Sequence, residues 1–313
     1  MLMKYGFGID VGGTTVKIGF FEEDVLAEKR EIPTRKEDGG KNILPDIAAA
    51  VKALLKEKHL TPGQIEGIGI GVPGPVSSEG VVNRCVNLGW GVFNIHKDLG
   101  ALTGIPFIRG GNDANCAALG EYWKGGGQGV SSALFVTLGT GVGGGVVIDG
   151  KVLNGAHGSA GEVGHITVSA PDRAPCTCGK FGCLEQYASA TGIVRVTKKR
   201  LAESDVPSSL RGMEHFSCRD VFDAAKTGDA FAKDTLEVIF RYMGEALSSA
   251  CCVCNPQRVI IGGGVSKAGE YLLDGIRRHF YAQCFHACNT TEFSLATLGN
   301  DAGMYGAYRL LEK

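Results

Sequence analysis

The 313-residue chain has no excess of charge of either sign: 32 basic against 33 acidic side chains leave a net charge of −1. With no basic stripe to follow a phosphate backbone and no charged tail, nucleic acid is not an expected partner. No apolar run approaches the roughly 18 residues that a bilayer-spanning helix needs, so a membrane is not expected either. The hydrophobic share of 44% suits a soluble globular protein. A strand pattern begins at Tyr5, which leaves no space for a secretory leader and points to a cytoplasmic protein. No structureless linker and no low-complexity tract interrupts the chain.

Glycine and cysteine, in contrast, are plentiful, at 48 and 11 residues. Cysteines without a leader imply reduced thiols. The glycines fall in clusters after strand patterns, as tight turns and phosphate-type loops do. The length is sufficient for two domains with cores of their own.

One stretch organises the rest, GEVGHITVSAPDRAPCTCGKFGCLE, from Gly161 to Glu185. Cys176, Cys178 and Cys183 are spaced C-x-C-x4-C, with His165 ahead of them. Three thiolates and an imidazole form the closed tetrahedral set of a structural zinc site. Gly179 and Gly182 let the backbone fold between the sulfurs. Free cysteines in a loop are the plainer reading, disfavoured because Cys and His arrive together between turn residues. A metal-bound ring is oriented by the metal and can hydrogen-bond a further group. With Glu162 and Glu185 nearby, that group is expected to be a polyhydroxylated ligand.

The opening YGFGIDVGGTTVKIGFF reads as strand, glycine turn, strand. Its loop, Asp10, Val11, Gly12, Gly13, Thr14 and Thr15, offers bare amides and two hydroxyls, a nest suited to phosphate. A plain glycine hairpin would look similar. Asp10, at the strand's end, is placed to hold Mg2+ through water. Residues 133–149 repeat the theme, so that Gly139, Thr140 and Gly141 match the first loop and a duplicated fold unit is expected. A third glycine turn, Gly262, Gly263 and Gly264, leads from a strand at 258–261 to a helix at 267–281, where backbone can approach a flat or phosphate-bearing ligand.

Between these loops, a strand at 65–72 ends in GVPGP, bare at Gly74, and Asn87 lies in a polar loop. A strand at 105–108 runs into GGNDAN ahead of an Ala-rich helix, so Asn112 or Asp113 is the expected N-cap. Capping alone is the plainer role for Asp113. A strand-to-helix junction at the carboxyl end of a sheet also suits a catalytic carboxylate, kept ionised by the helix amides. Helices are expected at 43–55, 193–203, 218–226, 230–252 and 301–311, the last with a small-residue face of Ala302, Gly303, Gly306 and Ala307. A last strand is expected at 293–298. Cys251, Cys252 and Cys254 read as small buried hydrophobes. His59, His96, His157, His215, His279 and His286 are scattered and receive no chemistry. A domain boundary is expected near Gly110 and Gly111, giving 1–111 with the final helix (300–313) returning to it, and 112–299.

The pattern H-x10-C-x-C-G-x2-G-C-x-E resembles the signature of the ROK family of sugar kinases. DVGGTTVKIG and LGTGVGGG look like that family's two phosphate loops, and IIGGGVS like its adenosine loop. GGNDANCAALGE looks like its catalytic segment, and GEVGH with CTCGKFGCLEQ like its sugar and zinc motifs. All stand in the family's order across nearly the whole chain. VNLGW, NDANCAALGEYWKG and CLEQYASATGIVR are most similar to the glucokinases of Gram-positive bacteria. The resemblance implies an α/β protein of two actin-like (ribonuclease-H-like) ATPase domains flanking a cleft. It implies phosphorylation of glucose at the 6-hydroxyl by ATP and Mg2+. Asp113 would be the general base, with Asn87, Asn112, Glu162, His165 and Glu185 around the sugar and a structural Zn2+ on His165, Cys176, Cys178 and Cys183. A homodimer or homotetramer is expected. The runner-up is an N-acylmannosamine or other hexose kinase. Sugar-responsive repressors of the family carry a DNA-binding segment ahead of the first domain, for which a first strand at Tyr5 leaves no room. An actin-like ATPase without a sugar site is opposed by Glu162, Glu185 and the zinc loop.

Overall fold

The computed structural model describes residues 3–312. In chain order the elements begin with β1 (Tyr5–Val11), β2 (Thr15–Glu22), β3 (Val25–Pro33), α1 (Glu37–Gly40), α2 (Ile43–Glu57) and β4 (Ile65–Val72). They continue with β5 (Val81–Cys85), β6 (Trp90–Asn94), α3 (Ile95–Thr103), β7 (Ile108–Asn112), α4 (Asp113–Lys124), β8 (Ser132–Leu138), β9 (Val142–Ile148) and β10 (Lys151–Val152). The remainder are α5 (Glu185–Ala188), α6 (Ala190–Ala202), α7 (Cys218–Lys226), α8 (Ala230–Cys254), β11 (Arg258–Gly262), α9 (Glu270–Gln283), β12 (Glu292–Leu295) and α10 (Ala302–Arg309). Among the described residues, no helix is long and apolar enough to cross a membrane.

The chain divides into two compact units, one of Met1–Gln128, Asp149–Ala160 and Leu298–Lys313, the other of Gly129–Ile148 and Gly161–Thr297. The division falls after α4, not at residue 111 as the sequence reading placed it. The reason is packing between helices. Gly120 of α4 and Gly306 of α10 let the two backbones touch, since a Cβ at Gly120 would overlap the Ala302 carbonyl and one at Gly306 the Cys116 carbonyl. Helix α10 also lies directly on the first sheet. Gly8 and Gly69 are register partners on β1 and β4. A side chain at Gly8 would strike the Met304 carbonyl, and one at Gly69 the Ala307 carbonyl. Tyr308 of α10 then stacks on Phe21, ring centroids 4.2 Å apart.

The first sheet has the order β3-β2-β1-β4-β7, with β1 antiparallel to β2 and β4 parallel to both β1 and β7. The other five-stranded sheet has the order β10-β9-β8-β11-β12, with β8 antiparallel to β9 and β11 parallel to both β8 and β12. The two sheets share one plan, a strand hairpin followed by two parallel strands. That plan is the duplication visible in the sequence as two strand–glycine–strand motifs. The long helix α8 buries one broad face, Leu236, Phe240, Met243 and Leu247 among it, and turns Asp234 and Arg241 to solvent.

Two element boundaries near the candidate site, and one expected burial, differ from the sequence reading. The strand expected at 105–108 is Ile108–Asn112, because Gly110 and Gly111 continue the parallel pairing with β4 instead of breaking it. The helix expected from residue 267 starts at Glu270, after a 3-10 turn at Gly264–Ala268. Of the three cysteines expected to be buried, Cys251 is buried, Cys254 is half-buried and Cys252 is exposed, because α8 turns that side of its last turn to solvent.

Candidate active site

In the first unit the candidate residues gather at the carboxyl ends of the parallel strands. Asp10 is register partner of Gly71, and Gly71 of Gly111. With strands about 4.8 Å apart, the ends of β1 and β7 are roughly 10 Å apart, on either side of β4. The Asp10 carboxyl rests over Gly303, where a Cβ would come within 2.7 Å of it. Burial pushes the Asp10 pKa up, and Lys17, whose Nζ is 3.7 Å away, opposes that shift. Lys17 is itself anchored by donating to the Asn300 carbonyl at 2.9 Å. The turn between β1 and β2 is fixed by a residue the sequence did not single out. Thr34 donates its hydroxyl to the Gly12 carbonyl at 2.7 Å and its amide to the Thr14 carbonyl at 2.9 Å. Nothing stands within 4 Å of a Cβ at Gly13, so its backbone is open to a ligand.

At the end of β7, Asn112 is the N-cap of α4, its Oδ1 accepting from the Asn115 amide at 3.1 Å. Asp113 is therefore not the cap. It is the first helical residue, its Oδ1 accepting from the Ala114 amide at 2.8 Å. That bond fixes the carboxylate at a helix N-terminus, where the dipole favours its ionised form. Asn87 lies exposed on a 3-10 turn (Val86–Leu88) between β5 and β6, and Gly74 is half-buried beyond β4.

In the second unit, Gly139, Thr140 and Gly141 link β8 to β9, and Gly262, Gly263 and Gly264 lie at and beyond the end of β11. β8 and β11 pair in parallel, Thr137 opposite Gly262, so both turns open at the same edge of the sheet. The first turn is tied to the segment that follows the cysteines. Ala190 donates to the Gly139 carbonyl at 2.8 Å, and the Thr191 hydroxyl to the Thr140 carbonyl at 2.9 Å. Glu185 Oε2 accepts from the Val142 amide at 3.0 Å. A Cβ at Gly141 would overlap the same carboxylate oxygen. The glycine run in β9 has a second use. Gly144 receives the Gly161 carbonyl, Gly145 lies under Gly161, and Gly164 sits against the Val142 carbonyl, each too close for a side chain. The turn carrying Glu162, which is exposed, and His165, which is half-buried, is seated on this glycine floor.

The cysteines form a hairpin whose bridges pair Thr167 with Cys183 and Pro175 with Phe181. Gly179 and Gly182 take positive φ of 87° and 77° at its turns. The ligand atoms of His165, Cys176, Cys178 and Cys183 all lie within 4.8 Å of one another. His165 Nδ1 is 3.8 Å from Cys176 Sγ, and Cys178 Sγ is 3.7 Å from Cys183 Sγ. Three sulfurs and one nitrogen at this spacing fit a tetrahedral zinc ion. Burial works against a Cys176 thiolate, but hydrogen bonds from Cys178, Cys183 and His165 bring its pKa down to about 7. Burial, then the neighbouring thiols, push Cys183 up to about 12. Beside Gly264 lies a cavity of about 490 Å³, lined by Ser217, Cys218, Phe222 and Lys226 of the α7 region and by Val265 and Ala268. Helix α7 was not a candidate in the sequence, because its pocket-facing residues follow ordinary helical spacing.

A comparison with known families matches residues 6–313 to the ROK family. The chain belongs to the ROK family. Among ROK relatives, a protein of Halalkalibacterium halodurans named glucokinase is 45% identical over 99% of this chain and 96% of its own length. A ROK hexokinase structure from Thermus thermophilus superposes with a TM-score of 0.80 at 33% identity, covering 98% of this chain and 97% of the other. A ROK glucokinase from Streptomyces griseus, solved with glucose and AMPPNP, superposes with a TM-score of 0.75 at 33% identity, covering 98% of each chain. The two mixed sheets are those of the actin-like, ribonuclease-H-like ATPase fold.

Proposed function

We propose that this ROK protein is a glucokinase, transferring the terminal phosphoryl group of ATP to the 6-hydroxyl of glucose. The nearly full-length identity with the Halalkalibacterium glucokinase carries the reading. Phosphoryl transfer needs positioning and charge stabilisation more than covalent chemistry, and the protein offers both. Asp113, held by the Ala114 amide, takes the 6-hydroxyl proton as attack proceeds, a role worth about 10²–10⁴ in rate. Asn112 uses its carbonyl oxygen as the cap and its amide nitrogen as a donor to the sugar. Glu162, Glu185 and His165 bind further hydroxyls, with Asn87 and the Gly74 backbone in support. In the second unit the Gly139–Gly141 turn offers bare backbone to the ATP phosphates and the cavity beside Gly264 takes adenosine, and in the first unit the Gly12–Thr15 turn is a further phosphate nest. Asp10 would hold magnesium through water, and that ion would supply charge neutralisation at the phosphates. His165, Cys176, Cys178 and Cys183 would hold a structural zinc, whose role would be to fix the loop bearing the proposed sugar ligands. A homodimer or homotetramer in the cytoplasm is the proposed setting.

The test is kcat/KM over a sugar panel with ATP and Mg2+, read as ADP release. Each hydroxyl that inverts leaves a buried partner unpaired, at about 1–3 kcal/mol or roughly 5- to 150-fold. Glucose is expected to outrun galactose and allose clearly, with mannose and glucosamine between, and N-acetylmannosamine poor. A preference for N-acetylmannosamine or fructose would overturn the glucose assignment. No sugar-stimulated ADP release would overturn the kinase reading.

A further inference from the structure

The segment that delivers Asn112 and Asp113 ends in two residues without side chains, Gly110 and Gly111. It is also the edge of its sheet, since among the described residues β7 pairs only with β4. Every second amide of an edge strand points away from its partner and must find another acceptor. At Gly110 that acceptor is a side chain, His96 of α3, whose Nε2 takes the Gly110 amide proton at 2.9 Å. The ring is seated by a turn that precedes β5. Gly80 has φ 83°, and a Cβ there would run into the imidazole. That turn is itself fixed to the start of α3, with Ile95 donating to the Gly80 carbonyl at 2.9 Å and Asn94 Nδ2 to the Glu79 carbonyl at 2.9 Å. A Cβ at Gly110 would meet Val76 and Ile95 at 3.0 and 3.1 Å and His96 Nε2 at 3.5 Å.

We infer that His96 is a positioning residue for phosphoryl transfer, its neutral imidazole clamping the glycine end of β7 so that Asn112 and Asp113 meet the sugar in register. The inference rests on the reading of Asp113 as the base. A plain core histidine would need no particular ring nitrogen bare. Here Nε2 must lack a proton, because the Gly110 amide donates to it, and Nδ1 must carry the hydrogen. Protonation turns the acceptor into a second donor facing an N–H, and the clamp opens. Burial, and after it Arg109, hold the ring's pKa below the usual histidine value, while Glu79 opposes them. Those are the charges that shift the ring, from β7 and from the turn; Lys97 and Asp98 are its neighbours on α3, and of the elements packed on α3, α2 carries Asp46, Lys52, Lys56 and Glu57 and β5 carries Arg84, none of them among the groups that shift it. The clamp is therefore closed at neutral pH and is lost as pH falls through the lowered pKa.

The experiment measures kcat and both KM values from about pH 5 to 8 for wild type, His96→Gln, His96→Ala and Asp113→Asn, with thermal melts as the folding control. Glutamine places an acceptor oxygen where Nε2 stands and does not titrate. His96→Ala is expected to lose about tenfold in kcat at neutral pH with ATP KM unchanged, since a small misplacement of a reacting group is costly. His96→Gln is expected to restore kcat at neutral pH and to retain activity to lower pH than wild type. A wild-type kcat in His96→Ala, or a His96→Gln profile that superimposes on wild type, would overturn the inference while a collapsed Asp113→Asn left the base reading standing. Near-normal turnover in Asp113→Asn would remove the base reading itself. If His96→Ala does not fold, the comparison of the glutamine and wild-type profiles decides alone.

Discussion

Glu185 joins two functions that the sequence places in separate motifs, and substituting it separates them. Its Oε2 accepts the Val142 amide at 3.0 Å, at the exit of the Gly139–Gly141 turn. In its proposed role as a sugar ligand it would also accept from a hydroxyl. Glu185→Gln keeps an acceptor for Val142 but removes the charge. Hydrogen bonds to charged groups are worth about 1.5–3 kcal/mol and neutral ones about 0.5–1.5, so glucose KM should rise roughly 5- to 12-fold with ATP KM near wild type. Glu185→Ala removes both bonds. Glucose KM should then rise roughly 12- to 150-fold, and the buried Val142 amide loses its acceptor at a further cost of about 1–3 kcal/mol. The ties from Ala190 and Thr191 remain, so the turn loosens without unravelling. ATP KM should rise by up to about tenfold in the alanine variant alone, which corresponds to about 1.4 kcal/mol. Steady-state ADP release, with each substrate varied in turn, reads both constants. An alanine variant that is folded and shows wild-type ATP KM would refute the claim that this carboxylate holds the phosphate turn.

The cysteine–histidine cluster should yield one zinc per chain on elemental analysis, and Cys178→Ser should raise glucose KM before ATP KM, because the hairpin joins the proposed sugar ligands Glu162, His165 and Glu185; metal-free protein with full turnover would remove the zinc. Gly264→Val should raise ATP KM without unfolding the protein, since a Cβ there meets nothing within 4 Å and faces the cavity beside α7. Gly263→Val is expected to fail earlier, as a folding defect seen in the thermal melt. Its φ is 83°, and a Cβ would come within 2.6 Å of the Leu138 backbone. A stable Gly263→Val with ordinary ATP KM would contradict that packing.

Local chemistry was legible in the sequence wherever it lies within a few consecutive residues. The C-x-C-x4-C run with turn glycines brings three of the four cluster residues within one eight-residue stretch. The glycine-threonine turns follow from strand periodicity that breaks at bare backbone. The repeat of that motif announced two sheets of one plan. What escaped were residues whose role depends on a partner far along the chain. Thr34 reads as one more threonine after a strand, and only the pairing of β2 with β3 brings it under the Gly12–Thr14 turn. His96 reads as one of six scattered histidines, and only the edge position of β7 gives it an amide to receive.

The sequence by itself determined the family, the duplicated plan and the identity of the groups able to do chemistry, because these reside in residue types and short spacings. The tertiary structure alone decided how those groups are held. It placed α4 with the first unit, since two glycines, 120 and 306, allow helix backbones to meet across a long stretch of chain. It made Asn112 the cap and left Asp113 as the first helical residue, a one-residue choice that helix geometry settles and composition does not. It gave the glycines of β9 a second purpose beneath the Glu162–His165 turn. The physical reason is the same in each case: close approach and hydrogen-bond direction are properties of pairs of atoms brought together by folding, and neither partner's sequence records the other.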